Sequence, residues 1–270
     1  MPANTHRILG INFFGGSSPE AVEEITRAGG LLVAPAAPSM INLCVDPDYR
    51  RAILGADLAI ADSGFMVLLW RFFVGERVPR ISGLEHMKRL LEHPSVREPG
   101  AILWVVATER SKQKLQEFLT RTPGQLRGQK EEGGVTERDW ALPIGQSTDD
   151  IYVAPKYGRP VEDEQLLSLV RQKQPRHIVI AVGGGMQDKL GRYLLERLAY
   201  RPAVHCIGAA IGFLTGDQVR IPDWADRYYL GWFFRSVAQP RVFVPRFWSA
   251  RRLPWLIWKY RDRLPPLDEK

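Results

Sequence analysis

Short β-rich runs and helical patterns take turns along most of this chain, and that alternation restricts the fold more than any other feature of the sequence. HRILGINFF is followed by SPEAVEEITRAG, LLVAP by DPDYRRAILGA, and DLAIA by GFMVLLWRFFVG. Further on, AILWVVA precedes ERSKQKLQEFLTR, DIYVAP precedes EDEQLLSLVRQKQ, HIVIAVGGG precedes MQDKLGRYLLERLAY, and AVHCIGAA adds a last apolar run. Successive strand-helix units predict an α/β fold, with a mostly parallel sheet flanked by helices in the Rossmann-like manner. Ser18-Pro19 and Asp46-Pro47 support it, since each sets a capping side chain before the residue type favoured at the first helical position.

The pattern stops near Ile221, where helices rich in Trp, Phe and Arg take over in WADRYYLGWFFRSVAQ, PRVFVPRFW and PWLIWKYRDRL. The chain therefore divides into an α/β domain over residues 1–220 and a helical, basic and aromatic C-terminal appendage over residues 221–270. Between Arg121 and Asp150 the polar, Gly-rich stretch TPGQLRGQKEEGGVTERDWALPIGQST has no period and predicts a long surface loop.

A chain of 270 residues with 45% hydrophobic content can bury a full core, which excludes disorder as its main state. Cys44 and Cys206 lie far apart inside apolar strings and form neither a CxxC pair nor a metal-ligand spacing, so a reducing, cytoplasmic compartment fits. MPANTHRILGINFFGG lacks the charged start, long apolar centre and cleavage site of a secretory signal, and no export is expected. The most apolar stretch, GFMVLLWRFFVG, is broken by Arg71 and falls short of the roughly 20 residues needed to span a bilayer. The net charge of +7 is concentrated: from Arg235 to Arg263 eight cations face one anion, Asp262. A local cationic block calls for a local anionic partner, either lipid headgroups or nucleic acid.

Three places could carry chemistry. In AIADSG, Asp62 follows an apolar strand and precedes a Gly-led helix, so its carboxylate sits where open α/β sheets place ligands and could act as a general base; an N-cap for the following helix is the plainer reading of the pattern. In GERVPRISG, Arg80 lies just before a helix start, where a guanidinium and exposed backbone N–H groups can clamp a phosphate; a surface cation is the plain alternative. In VIAVGGGMQDKLG, Gly183, Gly184 and Gly185 end a strand, and Gln187 and Asp188 open the next helix. Such glycines allow close approach of a phosphate or ribose, and Gln187 could read a base edge or sugar hydroxyl, although a tight strand-helix turn uses the same residues. The motif is neither a dinucleotide fingerprint nor a phosphate-binding loop.

The histidines show no spacing for a tetrahedral metal site and no metal is expected; His86 and His93, two turns apart on one predicted helix, read as surface or satisfied structural residues. Trp248, Trp255 and Trp258 stand among the C-terminal arginines, a composition suited to the headgroup layer of a membrane, with RNA stacking as the rival and core packing as the plain reading. No nucleic-acid recognition motif accompanies those cations, and a nucleic-acid partner is not expected.

Taken together, DPDYRRAILGADLAIADSG, GERVPRISGLEHMKRLL, HIVIAVGGGMQDKLG and RIPDWADRYYLGWFFRSVAQPR resemble the WecG/TagA/CpsF glycosyltransferase family, over most of the chain. The resemblance implies transfer of an N-acetylhexosamine or its uronate from a UDP-sugar to a polyprenyl-diphosphate-linked acceptor, in teichoic acid, common antigen or capsule synthesis. It implies an inverting, metal-independent reaction with no cofactor, in which Asp62 is the base and Arg80 contacts the diphosphate or the acceptor. Gln187 matches the family's Gln near the nucleotide-sugar pocket, and Arg220, Arg227, Arg235 and Arg241 are candidates for the arginines that close over the site at the membrane. A protein at the inner face of the cell membrane, with a tendency to homo-oligomers, follows from the same resemblance. The sequence departs from the family pattern at Ala34 and Ala36, where Thr and Asn are usual, at Asp62-Ser63-Gly64 for Asp-Gly, at Gly-Gly-Met-Gln-Asp for Gly-Pro-Lys-Gln-Glu, and at Gly231-Trp232 for Glu-Trp. Ser39 is the candidate replacement hydroxyl for the first pair.

Overall fold

The computed structural model describes residues 4–120, 149–208, 210–214 and 250–268, with positions 237, 240, 241, 245 and 248. The predicted loop, up to residue 148, lies outside the described residues, as do Arg220, Arg227, Arg235 and the boundary drawn at residue 220. Among the described residues, eight strands, β1 (Thr5–Ile8), β2 (Ile11–Phe14), β3 (Gly30–Val33), β4 (Leu58–Ala59), β5 (Ile102–Val106), β6 (Ile151–Val153), β7 (His177–Ala181) and β8 (Ala203–Cys206), form one sheet in the order β1-β2-β4-β3-β8-β7-β5-β6. Every pairing is parallel except β1 with β2. The fold is therefore the α/β, Rossmann-like arrangement expected from the alternating pattern.

HRILGINFF, expected as one strand, is two. The chain reverses at Leu9 and Gly10, whose φ values of 49° and 82° are both in the left-handed region that a two-residue hairpin turn requires. Gly10 is also needed for space, because a Cβ there would lie 2.8 Å from Cβ of Leu264.

The helices are α1 (Ser18–Ala28), α2 (Ala37–Met40), α3 (Asn42–Val45), α4 (Pro47–Leu54), α5 (Gly64–Val74), α6 (Gly83–Glu92), α7 (Glu109–Thr120), α8 (Glu164–Lys173), α9 (Met186–Arg197), α10 (Ala210–Leu214) and α11 (Leu253–Tyr260). Alternating residues of each central strand feed two separate cores. Leu103 and Val105 of β5, Ile178 and Ile180 of β7 and Val204 and Cys206 of β8 join α4, α5, α8, α9 and α11 on one face. Ile102, Trp104 and Val106, Val179 and Ala203 join α1, α6, α7 and α10 on the other. The start of α1 is one residue earlier than expected: Ser17 is the cap, its backbone N–H and hydroxyl both donating to Glu20 at 2.7 Å. Asp46 caps α4 as its Asp-Pro pair predicts, accepting from the N–H groups of Asp48 and Tyr49.

The end of the C-terminal segment is built into the first of these cores. Ala250, Leu253, Leu256 and Ile257 are buried there. The backbone is tied down too: the N–H of Leu9 donates to the Arg261 carbonyl at 2.7 Å, and that of Asp268 to the Cys44 carbonyl at 2.7 Å.

A line of side chains crosses the second face. His86 Nε2 lies 3.0 Å from His205 Nδ1, His205 Nε2 is 3.2 Å from His177 Nδ1, and His177 Nε2 is 2.8 Å from the Ser95 hydroxyl. Ser95 in turn is 2.7 Å from His93 Nδ1, and His93 Nε2 is 3.1 Å from Glu23. One set of neutral tautomers, each ring protonated on Nε2, satisfies the whole line from His86 outward to Glu23 and leaves only His86 Nδ1 without a partner. His93 thus follows α6 rather than sharing it with His86, and His86 is fully buried rather than on the surface.

Burial drives these rings toward the neutral form. It lowers the pKa of His86 to about 4 and that of His177 to about 3, the latter with help from Arg176, and holds His205 well below its ordinary value. The unfolded chain binds protons below about pH 6.5 that the folded chain refuses, so the stability linked to these rings is complete above that pH and is lost as the pH falls toward 4. For His86 alone the loss is about 3 kcal/mol. Urea denaturation at about pH 7.5 and about pH 4.5 is expected to show a loss of at least this size, with a shallower pH dependence in His86→Phe.

Candidate active site

Parallel strands end on one edge of the sheet, and β4, β3, β8 and β7 are consecutive there. The segments leaving those four ends carry Asp62, Ser39 with Asn42, Gly208, and the glycine turn Gly183–Gly185. Asp62 is half-buried, and its carboxylate accepts the N–H of Gly83, the first residue of α6, at 2.9 Å. It does not cap the helix that follows it. Ser63 does, accepting the Met66 N–H at 3.3 Å. Arg80 Nε donates to the Asp62 carbonyl at 3.0 Å, so the sequence-predicted base and cation are brought into one constellation. Arg80 stands two residues before the true cap of α6, Ser82, which accepts from Glu85 N–H at 3.1 Å.

The glycine turn is a tight strand-helix turn, with Gly183 and Gly185 at φ 108° and 85°. Gln187 is buried and donates from Nε2 to the Cys206 carbonyl at 2.9 Å, which fixes it to the end of β8; a Cβ at Gly208 would lie 2.6 Å from its Oε1. Asp188 is buried in the first turn of α9 and accepts the Gly185 N–H at 3.0 Å. Burial raises its carboxyl to about 7 against the opposing pull of that N–H. Ser39 packs on the same turn, since a Cβ on Gly184 would fall 2.6 Å from its Oγ. A Cβ on Gly185 would lie 3.4 Å from Asn42 Nδ2 and 3.8 Å from the Tyr49 ring. Three buried polar atoms here, Tyr49 Oη, Gln187 Oε1 and Asp188 Oδ1, have no hydrogen-bond partner among the described residues. Each such orphan costs about 1–3 kcal/mol, a burden that proteins carry at sites completed from outside. Lys189 anchors the wall, pairing with the α4 cap Asp46 at 2.9 Å and so holding Tyr49 against the turn.

A family model, glycosyl transferase WecG/TagA/CpsF family, matches residues 6–267. The chain belongs to the WecG/TagA/CpsF glycosyltransferase family. It is a glycosyltransferase of cell-envelope polysaccharide synthesis, and membership carries with it a nucleotide-sugar donor and a lipid-linked acceptor. In this family member the positions of the usual Thr and Asn are Ala34, packed against the second core, and Ala36, the cap of α2 with no side-chain hydrogen bond. Arg241 is exposed. Among the described residues, no group of three or more His, Cys, Asp or Glu side chains is placed to hold a metal ion, and no helix is long and apolar enough to cross a membrane.

Asn42 and Tyr49 were not readable as site residues, because both sit in short helices whose pattern is that of ordinary core packing; only the fold turns them toward the glycines. The double engagement of Asp62 makes a structural prediction. Asn at this position keeps an oxygen for Gly83, so Asp62→Asn is expected to melt close to the parent protein. Asp62→Ala leaves that N–H unpaired and is expected to lose about 1–2 kcal/mol in chemical denaturation.

Proposed function

We propose that this protein moves an N-acetylhexosamine or its uronate from a UDP-sugar to a polyprenyl-diphosphate-linked acceptor, by inverting and metal-independent transfer at the cytoplasmic face of the membrane. The observation that carries this reading is the placement of Asp62 at a strand end, its carboxylate aligned by Gly83 and its backbone by Arg80. Asp62 takes the proton of the acceptor hydroxyl as that oxygen attacks the anomeric carbon; the bond to the diphosphate breaks on the opposite face, and UDP leaves. Arg80, held beside the base, offsets the charge gathering on the departing diphosphate. Gly183, Gly184, Gly185, Gln187 and Ser39 border the donor, and Arg220, Arg227, Arg235 and Arg241 are the candidates for the arginines that close over the site at the membrane.

The C-terminal helix supports the membrane part of this reading. Leu253, Leu256 and Ile257 are buried while Trp255 and Trp258 are exposed, with Lys259 Nζ 4.6 Å from the Trp255 ring. Trp248 is exposed beside Arg251, and Phe72 of α5, the helix on which α11 packs, is 80% exposed. Exposed aromatic rings with cations beside them suit an anionic headgroup layer. A second reading, a silent sugar-nucleotide sensor or scaffold, draws on Ala34 and Ala36, which lack the side chains that would hydrogen-bond a ligand.

Purified protein given UDP-N-acetylhexosamines or uronates and a polyprenyl-diphosphate-sugar analogue is expected to release UDP only with acceptor. Asp62→Asn is expected to fall by at least about 100-fold without loss of fold, since an amide cannot take the proton. Saturable UDP-sugar binding without release would favour the silent sensor. Deleting residues 240–270 would strip Leu253 and Ile257 from the core, so docking is tested instead with Trp255→Ser combined with Trp258→Ser. That variant is expected to stop floating with anionic liposomes, and high salt to weaken the parent protein's attachment. Flotation unchanged by both would overturn the docking.

A further inference from the structure

We infer that the outward face of α5 is the seat of the acceptor's prenyl chain, with Leu68 and Phe72 holding the isoprene units next to the diphosphate. This rests on the reading above that the acceptor is polyprenyl-diphosphate-linked. α5 is apolar almost all the way round, broken only by Arg71. Met66, Val67 and Trp70 face the core and are nearly inaccessible. At about 100° per residue, Phe65, Leu68 and Phe72 recur at i, i+3 and i+7 on the opposite side, where a surface helix ordinarily carries polar groups. Phe65 and Leu68 are half-buried and Phe72 is 80% exposed, so the stripe opens outward as it leaves the site.

Position and width select the occupant. α5 begins two residues after Asp62, and Phe72 lies eight residues beyond Gly64, about 12 Å along the axis at about 1.5 Å per residue. One sugar ring and two phosphates in series cover a similar span. An acceptor with its hydroxyl at Asp62 therefore sets its first isoprene units on Leu68 and Phe72. The stripe is narrow, with Arg71, Glu76 and Arg77 exposed around its far end, which suits one methyl-branched chain rather than the flat face of a bilayer. Nor does it suit a second copy of this chain: a stable interface takes about 800 Å² from each partner, and two side chains, at about 150–250 Å² for an aromatic one, supply well under that. The floor is firm. The Phe72 ring stands edge-on to Phe73 with centroids 5.0 Å apart, and Glu76, just past the helix, accepts from Trp70 Nε1 at 3.2 Å and pairs with His6 Nδ1 at 2.6 Å. A surface already ordered binds a flexible chain without paying to order itself. α11, whose Trp255 and Trp258 form the proposed membrane contact, packs on α5, so the bilayer and the stripe meet adjoining helices.

Two measurements on the full-length protein test this, and the first needs no turnover. A polyprenyl-diphosphate-sugar analogue with a diazirine in the isoprene units nearest the diphosphate is cross-linked by light and mapped by peptide mass spectrometry. The label is expected on α5; label confined to other segments would overturn the inference. In the UDP-release assay the parent protein is expected to show a lower KM for a heptaprenyl than for a geranyl acceptor. Leu68→Ser combined with Phe72→Ser is expected to cut that advantage at least about fivefold, because the longer chain loses its apolar contacts. Both side chains lie on the side away from the core, and thermal melting checks that the fold is kept. A chain-length advantage kept in the folded variant would overturn the inference, with lost flotation then assigning the stripe to the bilayer and a lost dimer in sedimentation assigning it to a second copy. UDP release with the analogue but no label on α5 would overturn the inference and leave the transferase reading standing. Neither release nor any label would overturn both.

Discussion

Burial of the central strands on both faces is the constraint from which the rest of this structure follows. β3, β8, β7 and β5 are flanked by strands on each side and by helices above and below, and nearly every residue in them is out of contact with water. A parallel sheet cannot leave one face wet, because each crossover must return across a face and brings its helix with it. The two cores, separated by residue parity along each strand, are the direct result. So is the position of the candidate active site, since parallel strands deliver all their outgoing segments to one edge.

At that edge the backbone does as much as the side chains. Asp62 is fixed through its carboxylate to the first N–H of α6 and through its carbonyl to Arg80, so the residue proposed as base is oriented from two directions. The glycine turn is equally determined: two left-handed residues, then a helix whose own Asp188 fills its N-terminal charge. Around this firm frame sit the unsatisfied atoms of Tyr49, Gln187 and Asp188. The contrast between a satisfied backbone and orphaned side chains is what a binding site held ready for a polar ligand looks like.

The C-terminal segment shows how one short helix serves two ends. Leu253, Leu256 and Ile257 belong to the same core as β7 and β8, while Trp255 and Trp258 face outward from the same turns. Fold stability and surface character are therefore carried by neighbouring residues, and a truncation disturbs both at once.

The sequence by itself determined the α/β class, the strand-helix order, the cap at Asp46, the strand-end position of Asp62 and the Gly-rich turn before Gln187, because each follows from local periodicity or from the conformational freedom of one residue type. It also carried the family, since motifs in fixed order survive without coordinates. Tertiary structure alone decided that HRILGINFF folds back on itself, that Asp62 accepts the first N–H of α6 rather than capping the helix after it, and that the C-terminal helix joins the core. It alone placed His86, His205 and His177 in one buried line and turned Asn42 and Tyr49 toward the glycines. Apart from the hairpin, these are contacts between residues from 21 to more than 200 positions apart, and no local pattern encodes which distant group will satisfy a polar atom once water has been excluded.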